Sequence, residues 1–298
     1  MNERKKRLLR GVLCTTLGGV CWGFSGTCGQ YLFAHYEVDT LWLTCARLLG
    51  GGGLLTALAL VRERESLKGL LQNRRDCLQL LLYGVLGLAL CQYAYMTGIF
   101  YSNGATTTVL QNLGLVLIML WTCLRSLRLP NRREFISLLL ALFGVFLLAT
   151  GGTPSQMTIS PQGLFWGLAA AVAVMLYTLL PRPLLAKWGR ITVTGLGMLT
   201  GGILLSLVVR VWRFSVFLPW DGWLAIAAII LLGSALAFTL LMQGITDIGP
   251  VKASMLASTE PVSATILAAV WLGTSFTPTD FIGFAAILAT IFLLAKSE

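Results

Sequence analysis

Long apolar stretches separated by short polar connections dominate the pattern along this chain. Each stretch has about 18–24 residues, enough for a helix to cross a hydrocarbon core of about 30 Å. The stretches lie at roughly 11–31, 40–61, 77–96, 104–124, 133–150, 160–181, 191–211, 221–241, 250–272 and 279–295. The pattern therefore predicts an all-α integral membrane protein with ten transmembrane helices, called spans 1 to 10 below.

Part of this pattern occurs twice along the chain. Residues 78–149 align without a gap with 224–295 at a constant offset of 146, and the block Phe146–Ala149 is identical to Phe292–Ala295. The offset predicts two repeats of five spans each, over residues 1–150 and 151–298. Because five is odd, the second repeat must enter the membrane from the opposite side. Many secondary transporters have this inverted arrangement.

Charged residues are scarce and lie mostly on one side of the predicted spans. The chain is 56% hydrophobic and 11% charged, whereas a soluble domain is about 25% charged. Most lysines and arginines precede span 1 or follow the even-numbered spans, while Arg210 and Arg213 fall on the other side. Cytoplasmic loops carry such an excess. We therefore expect a multi-pass membrane protein with both termini in the cytoplasm. The net charge of +10 then reflects topology, and no nucleic-acid partner is expected.

The cysteines do not form a metal-binding pattern. All seven lie in or beside spans in the first half of the chain, and His35 is the single histidine. Metal sites usually need closely spaced cysteines or histidine partners. We therefore expect the cysteines to pack as small apolar residues, and we expect no metal or other cofactor.

Two ionisable residues fall deep inside predicted spans, where charge is costly and usually faces a partner or a wet cavity. Glu260 lies about 15 Å into span 9 and Arg47 about 10 Å from the outer end of span 2, at 1.5 Å per residue. Their depths differ by only about 5 Å in a core of about 30 Å, so the two side chains could meet. In one interpretation they line a midplane cavity and hold a zwitterion, and Glu260 also carries a proton. In the other, which we favour from the sequence, they pair or satisfy helix ends in a structural or gating role.

Further candidates surround Glu260 at this depth. Pro261 lacks a backbone donor and clashes with the carbonyl of Ala257, so span 9 should kink or break there. Singly, each polar residue in the spans is explained by helix bridging, but as a cluster they favour a substrate site. The candidates for substrate binding or gating are Trp22, Arg47, Gln92, Tyr93, Gln111, Asn112, Tyr177, Ser258, Thr259, Glu260 and Pro261, with Ser25, Tyr95 and Gln243 as further polar residues in spans.

The chain resembles the bacterial EamA-type transporters of the drug/metabolite transporter superfamily over essentially its whole length. The resemblance rests on the five-plus-five repeat and on four loose motifs. These are Gly19-Val-Cys-Trp22-Gly23-Phe24-Ser25-Gly26, Ala46-Arg47-Leu-Leu-Gly50, Leu256-Ala-Ser-Thr-Glu260-Pro261-Val262 and Trp271-Leu272-Gly273. It implies a secondary transporter of the bacterial inner membrane, and export is the commoner direction among relatives.

The chain departs from that family at two places. Many relatives carry a glutamate after the Leu-Gly that ends span 9, where this chain has Thr274, whose repeat equivalent is Arg128. Many also carry a proline in span 4 opposite Pro261, where this chain reads Gly114-Leu115. The roles of those residues in relatives cannot be transferred to this chain.

These observations predict a secondary transporter that moves small organic metabolites such as amino acids, amines or amphipathic compounds. Transport would proceed by alternating access at a midplane cavity between the repeats, with membrane lipids around it and protons as a candidate coupling ion. The chain has no ATP-binding loop, and its spans carry no HExxH motif and no paired aspartates, so we do not expect an enzyme. The alternative is a non-transporting membrane sensor or a channel-like protein.

Overall fold

The computed structural model describes residues 3–153 and 157–295, and the part of the chain that it describes contains helices and no strands. Ten helical segments are long and apolar enough to cross a membrane, as predicted. Spans 1 to 10 are Lys5–His35, Thr40–Arg62, Arg74–Tyr101, Gly104–Arg125, Arg132–Thr150, Pro161–Leu179, Arg190–Val209, Trp220–Ile248, Met255–Leu272 and Pro278–Ala295. Short helices Arg64–Gln72 and Arg182–Trp188 and a 3-10 turn, Val211–Arg213, lie between spans.

Spans 1, 3 and 8 are longer than the apolar stretches that predicted them. Span 1 begins at Lys5 and span 8 continues to Ile248, because backbone hydrogen bonds extend a helix through charged residues beyond the apolar core. Polar caps then define several ends. Asp39 accepts the backbone N–H of Leu41 at 2.7 Å at the start of span 2. Asn131 and Glu134 form a capping box at the start of span 5, which satisfies otherwise unpaired helix donors.

Four spans are irregular. Spans 3 and 8 contain π-helical segments, Tyr83–Ala89 and Leu231–Leu236. Span 4 is interrupted at Asn112 and Leu113. The helix that enters span 9, Pro250–Ala257, is interrupted at Ser258 before the helix Thr259–Leu272 and is counted with span 9 below. The interruption of span 9 agrees with the break predicted from Pro261. When the first half is shifted by 146 residues, its π-helical segment overlaps that of span 8, and the interruption of span 4 coincides with that of span 9.

The main contacts between spans recur when the two halves are exchanged. Span 1 packs against spans 8 and 9, and its equivalent, span 6, packs against spans 3 and 4. Span 2 packs against its own equivalent, span 7, and span 5 against span 10. Buried apolar clusters lie between these groups of spans rather than in one central core.

Spans 2 and 7 approach each other closely through glycines. Gly52 lies against Leu199, and Gly202 lies against Leu48. As the residue number rises along span 2, it falls along span 7, so the two helices run antiparallel. Spans 5 and 10 show the same relation, because Gly144 lies against Ile287 and Gly283 against Leu148. Small residues allow helix backbones to approach in this way.

Candidate functional site

A cavity of about 330 Å³ lies between the two halves of the protein. Residues from spans 1 to 4 and from spans 6 to 10 line it, so both halves contribute to its wall. Eight of the eleven candidates from the sequence are brought together here: Trp22, Arg47, Gln92, Gln111, Asn112, Tyr177, Ser258 and Glu260. The volume is within the range of small-molecule pockets, about 300–1,000 Å³.

The irregular parts of four spans meet at this cavity. The π-helical segments contribute Leu88 from span 3 and Ser234 from span 8. The two interruptions contribute Asn112 from span 4 and Ser258 from span 9. π-Helical turns occur frequently at functional sites, and non-helical backbone within a membrane is tolerated where it lines a cavity. The backbone irregularities therefore mark the same place as the polar side chains.

Equivalent positions of the two repeats line the cavity in pairs. At an offset of 146, the first half and the second half contribute the pairs Leu88 and Ser234, Gln92 and Phe238, Tyr95 and Leu241, Gln111 and Ala257, and Asn112 and Ser258. The repeat therefore shapes the wall of the cavity as well as the bundle around it.

Arg47 is buried in the wall of the cavity with only 5% of its surface exposed. Its Nε and Nη1 atoms have no hydrogen-bond partner within the described residues. The guanidinium carbon lies 5.9 Å from the centre of the Tyr95 ring, a distance at which a cation is attracted to an aromatic face. Gly233 of span 8 leaves room beside the guanidinium, since a Cβ there would lie 3.7 Å from Nη2.

Glu260 lines the same cavity from span 9 but does not form a salt bridge with Arg47. In the described ranges, no basic nitrogen comes within 4.0 Å of its carboxylate. The backbone carbonyl of Glu260 accepts a hydrogen bond of 2.9 Å from Ser263, but no protein hydrogen bond to the carboxylate occurs in those ranges. The direct pairing considered from the sequence is therefore not formed. A basic and an acidic side chain therefore line one cavity without forming a salt bridge.

Neutral polar groups complete the first-half side of the wall. The Tyr95 hydroxyl lies 2.9 Å from the Thr108 hydroxyl. Asn112 donates from Nδ2 to the Thr108 carbonyl at 3.0 Å, and Gln111 donates from Nε2 to Cys91 Sγ at 3.5 Å. On the second-half side, the buried hydroxyl of Ser234 has no protein partner within the described residues.

Three candidates from the sequence lie outside the cavity lining. Tyr93 faces a different opening and packs edge-on against Trp166, with ring centres 5.1 Å apart. Thr259 donates its hydroxyl to the carbonyls of Leu256 at 2.9 Å and Thr16 at 3.3 Å. Pro261 is buried beneath the break of span 9 and accepts a hydrogen bond from Thr265.

Two further polar residues considered from the sequence also lie elsewhere. The Ser25 side chain lies against Gly233, and its buried hydroxyl has no hydrogen-bond partner in the described ranges. Gln243 donates to Asp247 at 3.0 Å near the end of span 8. Neither residue lines the cavity.

Sequence reasoning missed several residues of the wall, including Phe238, Leu241 and Ser234. Their residue types carry no signal of a site, because phenylalanine and leucine are common throughout the spans. Their positions do carry one, since Phe238 is the repeat equivalent of Gln92 and Leu241 that of Tyr95. Applying the 146-residue offset to Gln92 and Tyr95 would have found Phe238 and Leu241, whereas Ser234 is the equivalent of Leu88, which was not a candidate.

The described residues contain no group of three or more His, Cys, Asp or Glu side chains placed to hold a metal ion. The seven cysteines are all free thiols. The described residues that line the cavity offer one guanidinium, one carboxyl group, neutral amides and hydroxyls, the Cys91 thiol and aromatic rings.

Comparisons with known proteins agree with this architecture. The model of the EamA-like transporter family matches residues 9–150 and again residues 161–296. The chain is 34% identical to the uncharacterized inner membrane transporter YicL of Salmonella typhimurium over 96% of this chain and 95% of that protein. It is 26% identical to the uncharacterized transporter YetK of Bacillus subtilis over 74% of this chain and 68% of YetK.

A solved crystal structure shares the fold. It aligns with a TM-score of 0.64 at 19% identity and covers 98% of this chain and 96% of its own. At this identity the likeness concerns the fold alone.

Proposed function

The chain belongs to the EamA-like transporter family of the drug/metabolite transporter superfamily, and we propose that it is a secondary transporter of small organic metabolites. The proposed substrates are amino acids, amines or amphipathic compounds, and the proposed direction is the export that the family resemblance implies. The site is the cavity between the two halves. Transport proceeds by alternating access, in which the cavity opens first to one side of the membrane and then to the other.

An inverted repeat is the structural basis of this proposal. Equivalent spans 2 and 7 run antiparallel, as do spans 5 and 10, which supports two halves of opposite orientation. The main contacts between spans recur when the halves are exchanged, which supports an exchange of conformations between the two halves. The excess of basic residues around the end of the bundle that carries Lys5 supports cytoplasmic termini.

The observation that carries the proposed function is the separation of Arg47 and Glu260. A charge in the hydrocarbon region costs free energy unless it is paired or hydrated. If Arg47 and Glu260 had only a structural role, we would expect a salt bridge between them. Opposite charges on one cavity wall instead suit a zwitterion, whose carboxylate faces Arg47 and whose ammonium faces Glu260. Phe238, Tyr95 and Trp22 leave an apolar and aromatic space for the rest of the molecule.

The same carboxylate is the proposed point of coupling to protons. Glu260 is the one acidic side chain among the described residues that line the cavity. A proton on Glu260 and an ammonium group bound to it neutralise the same charge, so they compete. Competition of this kind would link substrate release to proton uptake.

The first experiment is ligand-dependent thermal stabilisation of the purified protein against amino acids, amines and nucleosides. We expect a zwitterion to stabilise the wild type and to lose that effect in Glu260→Gln and in Arg47→Ala. Glu65→Gln and Arg75→Ala, at exposed positions, are the matched controls and should keep it. Stabilisation that survives in both cavity variants would contradict the proposed charge contacts.

Transport itself requires vesicles. Proteoliposomes loaded with the stabilising compound should exchange it for labelled compound outside, and Glu260→Gln should abolish that exchange. Binding without exchange in the wild type would favour a non-transporting sensor, and flux that never saturates with concentration would favour a channel.

A further inference from the structure

A second opening lies on the outside of the bundle, next to the central cavity. It has a volume of about 490 Å³ and is lined by eleven residues of spans 1, 9 and 10 and the end of span 8, eight of them apolar. Leu8 and Val262 line it and are about half exposed, at 49% and 48%. We call it the lateral groove. In a membrane, an exposed apolar groove at this position faces lipid.

The length of the lateral groove matches one leaflet of a bilayer. Along span 9 it runs from Lys252 to Val262, which is ten residues or about 15 Å at 1.5 Å per residue. The hydrocarbon core is about 30 Å thick. An acyl chain of the leaflet that surrounds the Lys252 end could therefore lie along the whole groove.

The mouth of the groove carries positive charge from two spans. Lys252 lines it and is exposed. Lys5 is also exposed and precedes Leu8 and Val12 by three and seven residues, a spacing that places all three on one face of span 1. Two ammonium groups at the end of an apolar groove match the phosphate and the acyl chain of one phospholipid.

We propose that the lateral groove is a binding site for a phospholipid of the leaflet around the N-terminus, with the phosphate at Lys5 and Lys252. An anionic headgroup is preferred there, because both side chains carry positive charge. The acyl chain ends against the broken turn of span 9, where Ser258 lines both the groove and the central cavity. The bound lipid therefore forms the outer support of the turn that carries Glu260.

The test is native mass spectrometry of the full-length protein in detergent, with added phosphatidylglycerol or phosphatidylcholine. We expect one phosphatidylglycerol to bind more tightly than any further lipid and more tightly than phosphatidylcholine. Replacing Lys5 and Lys252 by glutamine should weaken this first binding by about fivefold per lysine. Lys68→Gln, an exposed lysine on the short helix Arg64–Gln72, should leave it unchanged.

Tryptophan variants that fill the lateral groove test whether an acyl chain occupies it. Val262→Trp should remove the tight site, whereas Val270→Trp should not, since Val270 is also exposed on span 9 but does not line the groove. Val12→Trp fills the same space from span 1 and provides a second variant if Val262→Trp fails to fold. Equal binding by the two span 9 variants would overturn the proposal.

A different occupant would give a different result. If the groove holds an apolar part of the transported substrate, Val262→Trp would weaken substrate binding and leave phosphatidylglycerol binding unchanged. That result would also overturn the lipid proposal. The measurement counts bound lipid and requires no transport, so it stands or falls separately from the proposed function.

Discussion

The two sides of the central cavity share one backbone plan but differ in chemistry. The first half presents Gln92, Tyr95, Gln111 and Asn112, whereas the equivalent positions of the second half are Phe238, Leu241, Ala257 and Ser258. The second half adds a single acid, Glu260, in the first turn beyond its break. Both halves therefore have the same irregular helices, but at these equivalent positions the first half is polar and the second half is mostly apolar.

The breaks in spans 4 and 9 also differ in cause. In span 9, Pro261 removes a donor and excludes a straight helix. Span 4 has Leu115 at that position and is interrupted nonetheless. There the Asn112 side chain donates to the carbonyl of Thr108, four residues earlier, at 3.0 Å and competes with the backbone for this acceptor. Both halves are therefore interrupted at equivalent positions, with a proline beside the break in span 9 and an asparagine side chain at the break in span 4.

Proline substitution in span 4 should give the largest effects and tests whether both breaks are equivalent. Leu120→Pro falls in the regular helix Gly114–Arg125 and should cost about 3 kcal/mol of stability or more. Leu115→Pro should cost only about 1 kcal/mol, because the Leu115 N–H bonds to Asn112 in the interrupted turn, at 3.1 Å. Thermal unfolding in detergent measures both. Equal losses would show that the span 4 break does not resemble that of span 9.

Charge on the second-half wall should matter more for ligand binding than polarity on the first. Glu260→Gln should weaken binding of the stabilising ligand by about 10- to 100-fold, the worth of a charged hydrogen bond. Asn112→Leu removes a neutral group and should weaken it by about tenfold or less. Isothermal titration calorimetry compares them. A larger loss in Asn112→Leu would place recognition on the first-half wall.

Close glycine contacts beside both breaks should be equally intolerant of an added methyl group. A Cβ on Gly19 would meet the Thr259 hydroxyl, and one on Gly114 would lie 2.7 Å from Val174. We expect Gly19→Ala and Gly114→Ala each to lower stability by about 1–3 kcal/mol. A methyl group added at Gly53 would have no neighbour within 4 Å among the described residues, so Gly53→Ala should be neutral or stabilising. Chemical unfolding monitored by intrinsic fluorescence provides the comparison.

The smallest expected effects come from the equivalent positions 128 and 274. Arg128 forms two hydrogen bonds of 2.7 Å to Glu134, and this carboxylate raises the pKa of the Arg128 guanidinium. Thr274 instead accepts a hydrogen bond of 2.9 Å from Gln30.

Arg128→Gln should lower stability only slightly, since the arginine is partly exposed, and the loss should be smaller at high salt. Thr274→Val should lower it by about 0.5 kcal/mol, the low end for a neutral hydrogen bond, independently of salt. Unfolding midpoints measured at low and high salt separate the two. A salt-dependent loss in Thr274→Val would contradict this assignment.

The sequence predicted much of the candidate site but not its boundary. Eight of eleven candidates line the cavity, because polar residues in a membrane span favour the interior. Tyr93 was placed in the site with Tyr95, yet only Tyr95 lines the cavity. Residues two apart on a helix point about 200° apart, so Tyr93 and Tyr95 lie on nearly opposite faces of span 3, and the rotation of this helix decides which tyrosine faces inward. That rotation depends on packing against span 6, which residue types alone do not specify.

The sequence by itself determined the ten spans and the break near Pro261, and it also contains the 146-residue repeat. Transfer of apolar side chains from water and the missing donor of proline act wherever those residues occur, so the sequence suffices to predict them. The tertiary structure alone decided that span 1 packs against spans 8 and 9 of the other half, and that span 4 breaks without proline. It also decided that Arg47 and Glu260 line one cavity without forming a salt bridge. The reason is that each of these depends on how neighbouring helices rotate and approach, which is settled by contacts between residues far apart in the chain.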